Sequence, residues 1–329
     1  MAELCTGHRA ICSTKMSVTI KDNNQLSETI KKIALEEGFD ACGIAPAHKL
    51  QKQSKNLEHW LQSNYNGSMG YMANYQDKRD NPSLLFDNCK SVISLAINYF
   101  SEIQFDQNQY IVSKYALGKD YHLIIKKKLK AIISKFRQIM PEGEFRAFVD
   151  TAPVLERDWA VLAGLGWIGK NTCFIMPGKG SFYFLAEVFA TVELDYDKPF
   201  EKEHCGNCQK CINACPTKAI VKPGTIDARK CISYLTIESK EPIPAKFKES
   251  LSGRIWGCDI CQDVCPWNKK FAKESLEVFT PSPAIVALTK NDWRNMTKEE
   301  YDNWFKNPKT AISRASYEKL KDNISSQQE

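Results

Sequence analysis

Eight cysteines between positions 205 and 265 constrain this chain more than any other feature. The first run reads C-x2-C-x2-C-x3-C-P, with Cys205, Cys208, Cys211 and Cys215 followed by Pro216. The second reads C-x2-C-x3-C-P, with Cys258, Cys261 and Cys265 followed by Pro266, and Ile255 stands where a leading cysteine would be. The first spacing is that of bacterial two-cluster ferredoxins, in which three thiolates hold one cube and the fourth reaches the neighbouring cube. The lone Cys231 fills the vacancy in the second run from upstream. The spacing therefore predicts one [4Fe-4S] cluster on Cys205, Cys208, Cys211 and Cys265, and another on Cys215, Cys231, Cys258 and Cys261. Paired C-x2-C units also build structural zinc sites. The third cysteine of the first run and the Cys-Pro ending of both runs favour cubes over zinc. Two cubes in so short a segment make an electron relay.

The 329 residues have room for two domains, or for one large domain with a small appendage. Of the thirteen cysteines, Cys5, Cys12, Cys42, Cys89 and Cys173 remain outside the cluster spacing, an odd set with no disulfide framework. Free thiols and iron–sulfur clusters both point to a reducing cytoplasm. No apolar run approaches the length of a membrane span, and the first fifteen residues lack the apolar core of a secretory signal. Met16 reads as an alternative initiator, with 1–15 a disordered leader. A net charge of +6 is compatible with a nucleic-acid partner without demanding one.

Along the chain, 26–38 predicts a helix capped by Ser27 and stopped by Gly38, with 39–45 a strand after it. A second helix over 48–65 ends at Asn66-Gly67, and Ser68 to Met72 reads as core packing after a turn. Residues 91–100 and 182–194 predict buried strands, and a long helix opens near Lys114 and runs to about Met140. On it, Lys126, Lys127, Lys128 and Lys130 read as a solvated face, and His122 as a satisfied histidine at the helix start. After a strand over 145–149, Asp150 or Thr151 ahead of Pro153 suits the N-cap of a helix reaching Gly164. The stretch 164–172 superficially resembles a phosphate loop. Asn171 replaces the hydroxyl residue that would hold magnesium, and a helix, not a strand, precedes it, so nucleotide binding is rejected. Alternating helices and strands give 16–199 an α/β or α+β body. The cluster lobe spans 200–270, and 271–329 forms a polar helical tail docked by Trp293, Trp304 and Phe305, with 325–329 frayed.

Several stretches over 20–270 resemble the epoxyqueuosine reductases: YALGKDYH at 115–122, VDTAPVLER at 149–157, GWIGKNT at 166–172, CISYLTIE at 231–238 and GCDICQDVCPWN at 257–268. The combination is far more specific than the cysteines alone. The resemblance implies an α+β chain: a nitroreductase-like cobalamin-binding N-terminal domain, a two-cluster ferredoxin-like lobe and a short helical C-terminal tail. It implies base-off cobalamin between body and lobe, and reductive removal of the epoxide oxygen of epoxyqueuosine at the wobble position of tRNA. It also implies an external low-potential electron donor; the chain is expected to be monomeric.

The family's proton donor, the aspartate of its V-D-T motif, falls on Asp150, whose apolar neighbours predict a raised pKa. That role displaces the capping reading for Asp150. Tyr115, Ser233 and Asp259 are the cobalamin contacts carried over. Arg157, Lys170 and the 126–130 lysines are candidates for tRNA phosphates. Some members add a C-terminal helical-repeat domain; this chain is too short for one, which leaves RNA binding to the tail or the body. A reductive dehalogenase pairs cobalamin with similar clusters but usually carries a twin-arginine signal, absent near the start here. A plain ferredoxin-type electron carrier would hold clusters without corrinoid.

Overall fold

The computed structural model describes residues 22–307 and 309–327. The predicted leader, Met16, Cys5 and Cys12 lie outside the described residues. At the centre is a four-stranded sheet in the order Ala41–Pro46, Ser91–Asn98, Tyr183–Ala190, Phe145–Phe148, with every neighbouring pair antiparallel. Antiparallel pairing makes the body α+β and removes the α/β alternative.

Ser91–Asn98 is buried at all eight positions because both faces of the sheet are covered. On one face, Ile93, Leu95 and Ile97 meet Ile30, Ile33 and Ala34 of helix Asn23–Glu36, and Ile125, Leu129, Ile132 and Phe136 of helix Tyr121–Ile139. The spacing of the last four lays an apolar stripe along one helix face. On the other face, Val92, Phe148 and Phe189 pack against Trp159 of helix Glu156–Leu162. Gly43 permits close approach there: a Cβ on it would lie 2.1 Å from the Ala163 carbonyl oxygen.

Helix starts differ from expectation. Asp22, not Ser27, caps the first helix, its Oδ1 accepting from the Gln25 N–H at 2.8 Å. The buried Ser27 hydroxyl instead donates to the Asn23 carbonyl. Residues 114–116 form one 3-10 turn, and the long helix begins only at Tyr121, where Asp120 accepts from the His122 N–H at 3.0 Å. Neither Asp150 nor Thr151 caps the later helix, which starts at Glu156 after Leu155.

The tail is part of the body. Trp293, Tyr301, Phe305, Ile312, Leu320 and Ile324 share one core with Tyr110, Val112, Ile255 and Trp256, and Trp304 packs half-buried against it. Trp256 belongs to Arg254–Trp256, which pairs in parallel with Ile111–Val112 and so ties the cysteine lobe to the N-terminal half. The end is not frayed through 327. Ser326 is buried, and Gln327 accepts from the Gly253 N–H and donates to the Arg254 carbonyl.

Candidate active site and cluster lobe

The cap that starts the long helix also builds the site. Asp120 places Tyr121 and His122 in the first turn, while the loop after Phe145–Phe148 brings in Asp150. His122 Nδ1 lies 2.7 Å from Asp120 Oδ1, and Nε2 lies 3.1 Å from Asp150 Oδ2. The Tyr121 hydroxyl donates to the same Asp150 oxygen at 3.0 Å. Asp150 sits in the left-handed backbone region, φ 54°, a costly conformation for a side-chain-bearing residue. Its N–H donates to Glu156 Oε1 at 2.5 Å, which holds the loop in place.

This electrostatic setting corrects one expectation. Hydrogen bonds from His122, then from Tyr121, outweigh burial and hold the Asp150 carboxyl below its ordinary range. The raised carboxyl is the next one along: burial, and then the charge of Asp150, push Glu156 well up. Behind it, burial raises Glu187, which is wholly inaccessible in the central sheet and receives a hydrogen bond from Ser94.

Around this constellation opens a cavity of about 570 Å³. Its walls come from three distant parts of the sequence: Tyr71, Tyr115 and Asp150 from the body, Ser233, Ile237 and Glu238 from the lobe, and Lys309, Thr310, Ser313 and Arg314 from the tail. Tyr115 and Ser233 are both on the wall. Asp259 is not among the lining residues; its Oδ2 accepts from the Lys114 N–H at 2.8 Å and fixes the turn that carries Tyr115. Tyr71, read from sequence as core, is half-exposed at the cavity. Sequence reasoning also missed His122, Glu156 and Arg314. The dense polar motif 120–122 was the available signal for the first, whereas Arg314 had none.

The cysteine lobe carries all eight predicted ligands as free thiols, none of them in a disulfide. Burial raises the Cys211 and Cys231 thiols to about 11, and Cys258 to about 12. The thiols also act on one another: Cys261 more than Cys205 and Cys265 on Cys211, Cys205 and Cys208 on Cys265, Cys261 and then Cys215 on Cys231, and Cys173 foremost on Cys261, so they crowd together without sorting into two sets.

Two basic residues expected to meet phosphate donate to backbone carbonyls of this chain. Lys170 Nζ donates to the Gly206 carbonyl and, at 3.1 Å, to that of Cys208, while Arg157 donates to the Thr172 carbonyl. Asn171 Nδ2 donates to the Cys261 carbonyl at 3.3 Å. The stretch that superficially resembled a phosphate loop is thus a hairpin, Trp167–Ile168 with Phe174–Ile175, that braces both cysteine loops. Among the lysines, Lys126 lines the cavity and Lys128 donates to the Glu37 carbonyl at 2.6 Å.

An α+β body, a double-cysteine lobe and a carboxylate–imidazole cavity shared between them define an iron–sulfur oxidoreductase. Residues 204–268 match the 4Fe-4S double cluster binding domain, and 79–151 match the family described as epoxyqueuosine reductase QueG, DUF1730. The double-cluster match sets aside the zinc reading. An epoxyqueuosine reductase of Cyclobacterium marinum is 46% identical over 93% of this chain and 97% of its own length. That of Escherichia coli K12 is 41% identical over 81% of this chain and 71% of its own. A crystal structure of epoxyqueuosine reductase with a tRNA-Tyr epoxyqueuosine-modified stem loop superposes with TM-score 0.84 and 28% identity, covering 92% of this chain and 80% of that one. The chain belongs to the epoxyqueuosine reductase family.

Proposed function

We propose that this protein reduces epoxyqueuosine in tRNA to queuosine, with the cavity at Asp150 as its active site. The observation that carries the reading is the 46% identity over nearly the whole chain to an epoxyqueuosine reductase. Converting an epoxide to an alkene consumes two electrons and two protons and releases water. The two clusters, ligated as the spacing predicts, pass electrons one at a time from an external low-potential donor.

Cobalamin is the cofactor the family resemblance implies, and the donor set of the cavity suits it. Aromatic Tyr115 offers a face for a broad ring, and Ser233, Thr310, Ser313 and Arg314 offer hydroxyls and a guanidinium to its amide-bearing edges. When bound, it supplies a metal centre that collects electrons and acts on carbon. The chain's own residues orient the substrate, shield the site and deliver a proton from Asp150 Oδ2 to the departing oxygen. Lys126 and Lys309, on the cavity wall, join Arg157 and Lys170 as candidates for tRNA phosphates. The test is incubation of the cluster-loaded, cobalamin-reconstituted protein with epoxyqueuosine-bearing tRNA and a reductant, followed by nucleoside analysis. Queuosine is expected; unchanged epoxyqueuosine would overturn the assignment.

A further inference from the structure

We infer that His122 holds the proton that Asp150 delivers, so that Asp120, His122 and Asp150 work as one relay with His122 as its positioning residue. The inference rests on the deoxygenation reading for its chemistry, but on geometry for its content. Both ring nitrogens of His122 face carboxylate oxygens, at 2.7 Å and 3.1 Å. A neutral imidazole has one N–H and one lone pair, so it would turn a lone pair toward one of the two carboxylates. Only the imidazolium donates to both. Asp120 fixes this state from behind: its side chain is 3% exposed and accepts from the His122 backbone N–H as well as the ring.

The charges around the ring agree. Burial alone would lower the His122 pKa, but the hydrogen bonds and charges of Asp120 and Asp150 outweigh it and raise the value to about 9. Glu156 faces the same ring and is held largely neutral by burial. Lys126 and Arg314 share the cavity and oppose the ring's charge, as does Lys309, which lies 3.6 Å from Asp120 and offsets part of its pull. Asp150, accepting from both His122 and Tyr121, is a carboxylate with no proton of its own to give. In the step inferred, the proton moves from Nε2 to Asp150 Oδ2 and on to the departing oxygen, and water at the cavity mouth reprotonates the neutral ring. Two electrons from the external donor, passed through the clusters, reduce the substrate: its two C–O bonds break, a C=C bond and water form, and the second proton comes from solvent.

The test begins with the full-length, cluster-loaded protein carrying 15N-labelled histidine, with H122Q identifying the resonances. An imidazolium signal at pH 7 that titrates near 9, and moves down by about one pH unit or more in D150N, is expected. A neutral ring at pH 7 would overturn the relay, whatever the fate of the substrate. Turnover gives the second readout. Gln at 122 can still donate to Asp150 but has no titrating proton, so kcat at pH 7 should fall by about 100-fold with KM little changed. Activity within threefold of the parent, with an unaltered alkaline limb, would also overturn the inference. D120N should lower turnover and move its alkaline limb to lower pH; a limb left where the parent's lies would overturn the relay. An H122Q protein that fails to fold leaves the parent's titration to decide, and failure of tRNA turnover in the parent would overturn the functional reading alone.

Discussion

Replacing Asn268 with Leu should uncouple the cluster lobe from the body. The Asn268 side chain is buried on the helix Pro266–Phe271, and it makes two hydrogen bonds across the junction and one within the lobe. Its Oδ1 accepts from the Ser181 N–H at 2.6 Å, and its Nδ2 donates to the Gln262 carbonyl at 2.8 Å and to Ser181 Oγ at 2.9 Å. Leucine keeps most of the volume and none of these bonds. Ser181 Oγ retains Gln262 Oε1 as an acceptor at 2.9 Å, and the Gln262 carbonyl still accepts from the Cys265 N–H at 3.0 Å, so one group is orphaned, the Ser181 N–H. At about 1–3 kcal/mol for a buried orphan, the cost centres on ~2 kcal/mol. For a chain of this size, that lowers the melting temperature by roughly 4–8 °C. Anaerobic thermal unfolding of cluster-loaded parent and N268L, followed by circular dichroism, measures it. A drop under 2 °C would mean the junction is held elsewhere and that the amide network is dispensable.

Four further outcomes are expected. Asp150→Asn keeps both clusters and tRNA binding but loses turnover by about 100-fold or more, read by nucleoside analysis. Cys231→Ala removes one cube, so bound iron falls from about eight to about four per chain while the other cluster's spectrum survives. Trp293→Ala costs about 3–5 kcal/mol in urea unfolding, because this fully buried indole stacks on Phe305 at 5.5 Å and 3°. It also loosens the Lys309 to Arg314 wall, so turnover falls with clusters intact. Finally, a folded-state His122 value above the usual 6.5 contributes stability that is present below pH 6.5 and lost as pH rises through about 9. Urea midpoints should decline over that window in the parent and stay flatter in H122Q.

The sequence alone carried the electron-transfer half of this protein. Cluster ligation depends on cysteines a few residues apart, so spacing within 205–265 states the geometry, and Cys231 is recognisable because the second run lacks a member. The strands at 91–98 and 183–190 were equally plain, since an unbroken apolar run leaves little choice but a sheet covered on both faces. The cavity was not legible. Its walls lie at positions such as 71, 122, 150, 233 and 314, and no local pattern records which of these meet. Asp150 illustrates the difference: apolar neighbours in sequence predicted a raised pKa, whereas two donors from a helix almost thirty residues away lower it. Arg157 and Lys170 read as charges for a ligand until folding turned them onto backbone carbonyls. Short-range chemistry is written along the chain, but a side chain's charge state and partners are set by whatever tertiary packing brings within hydrogen-bonding reach.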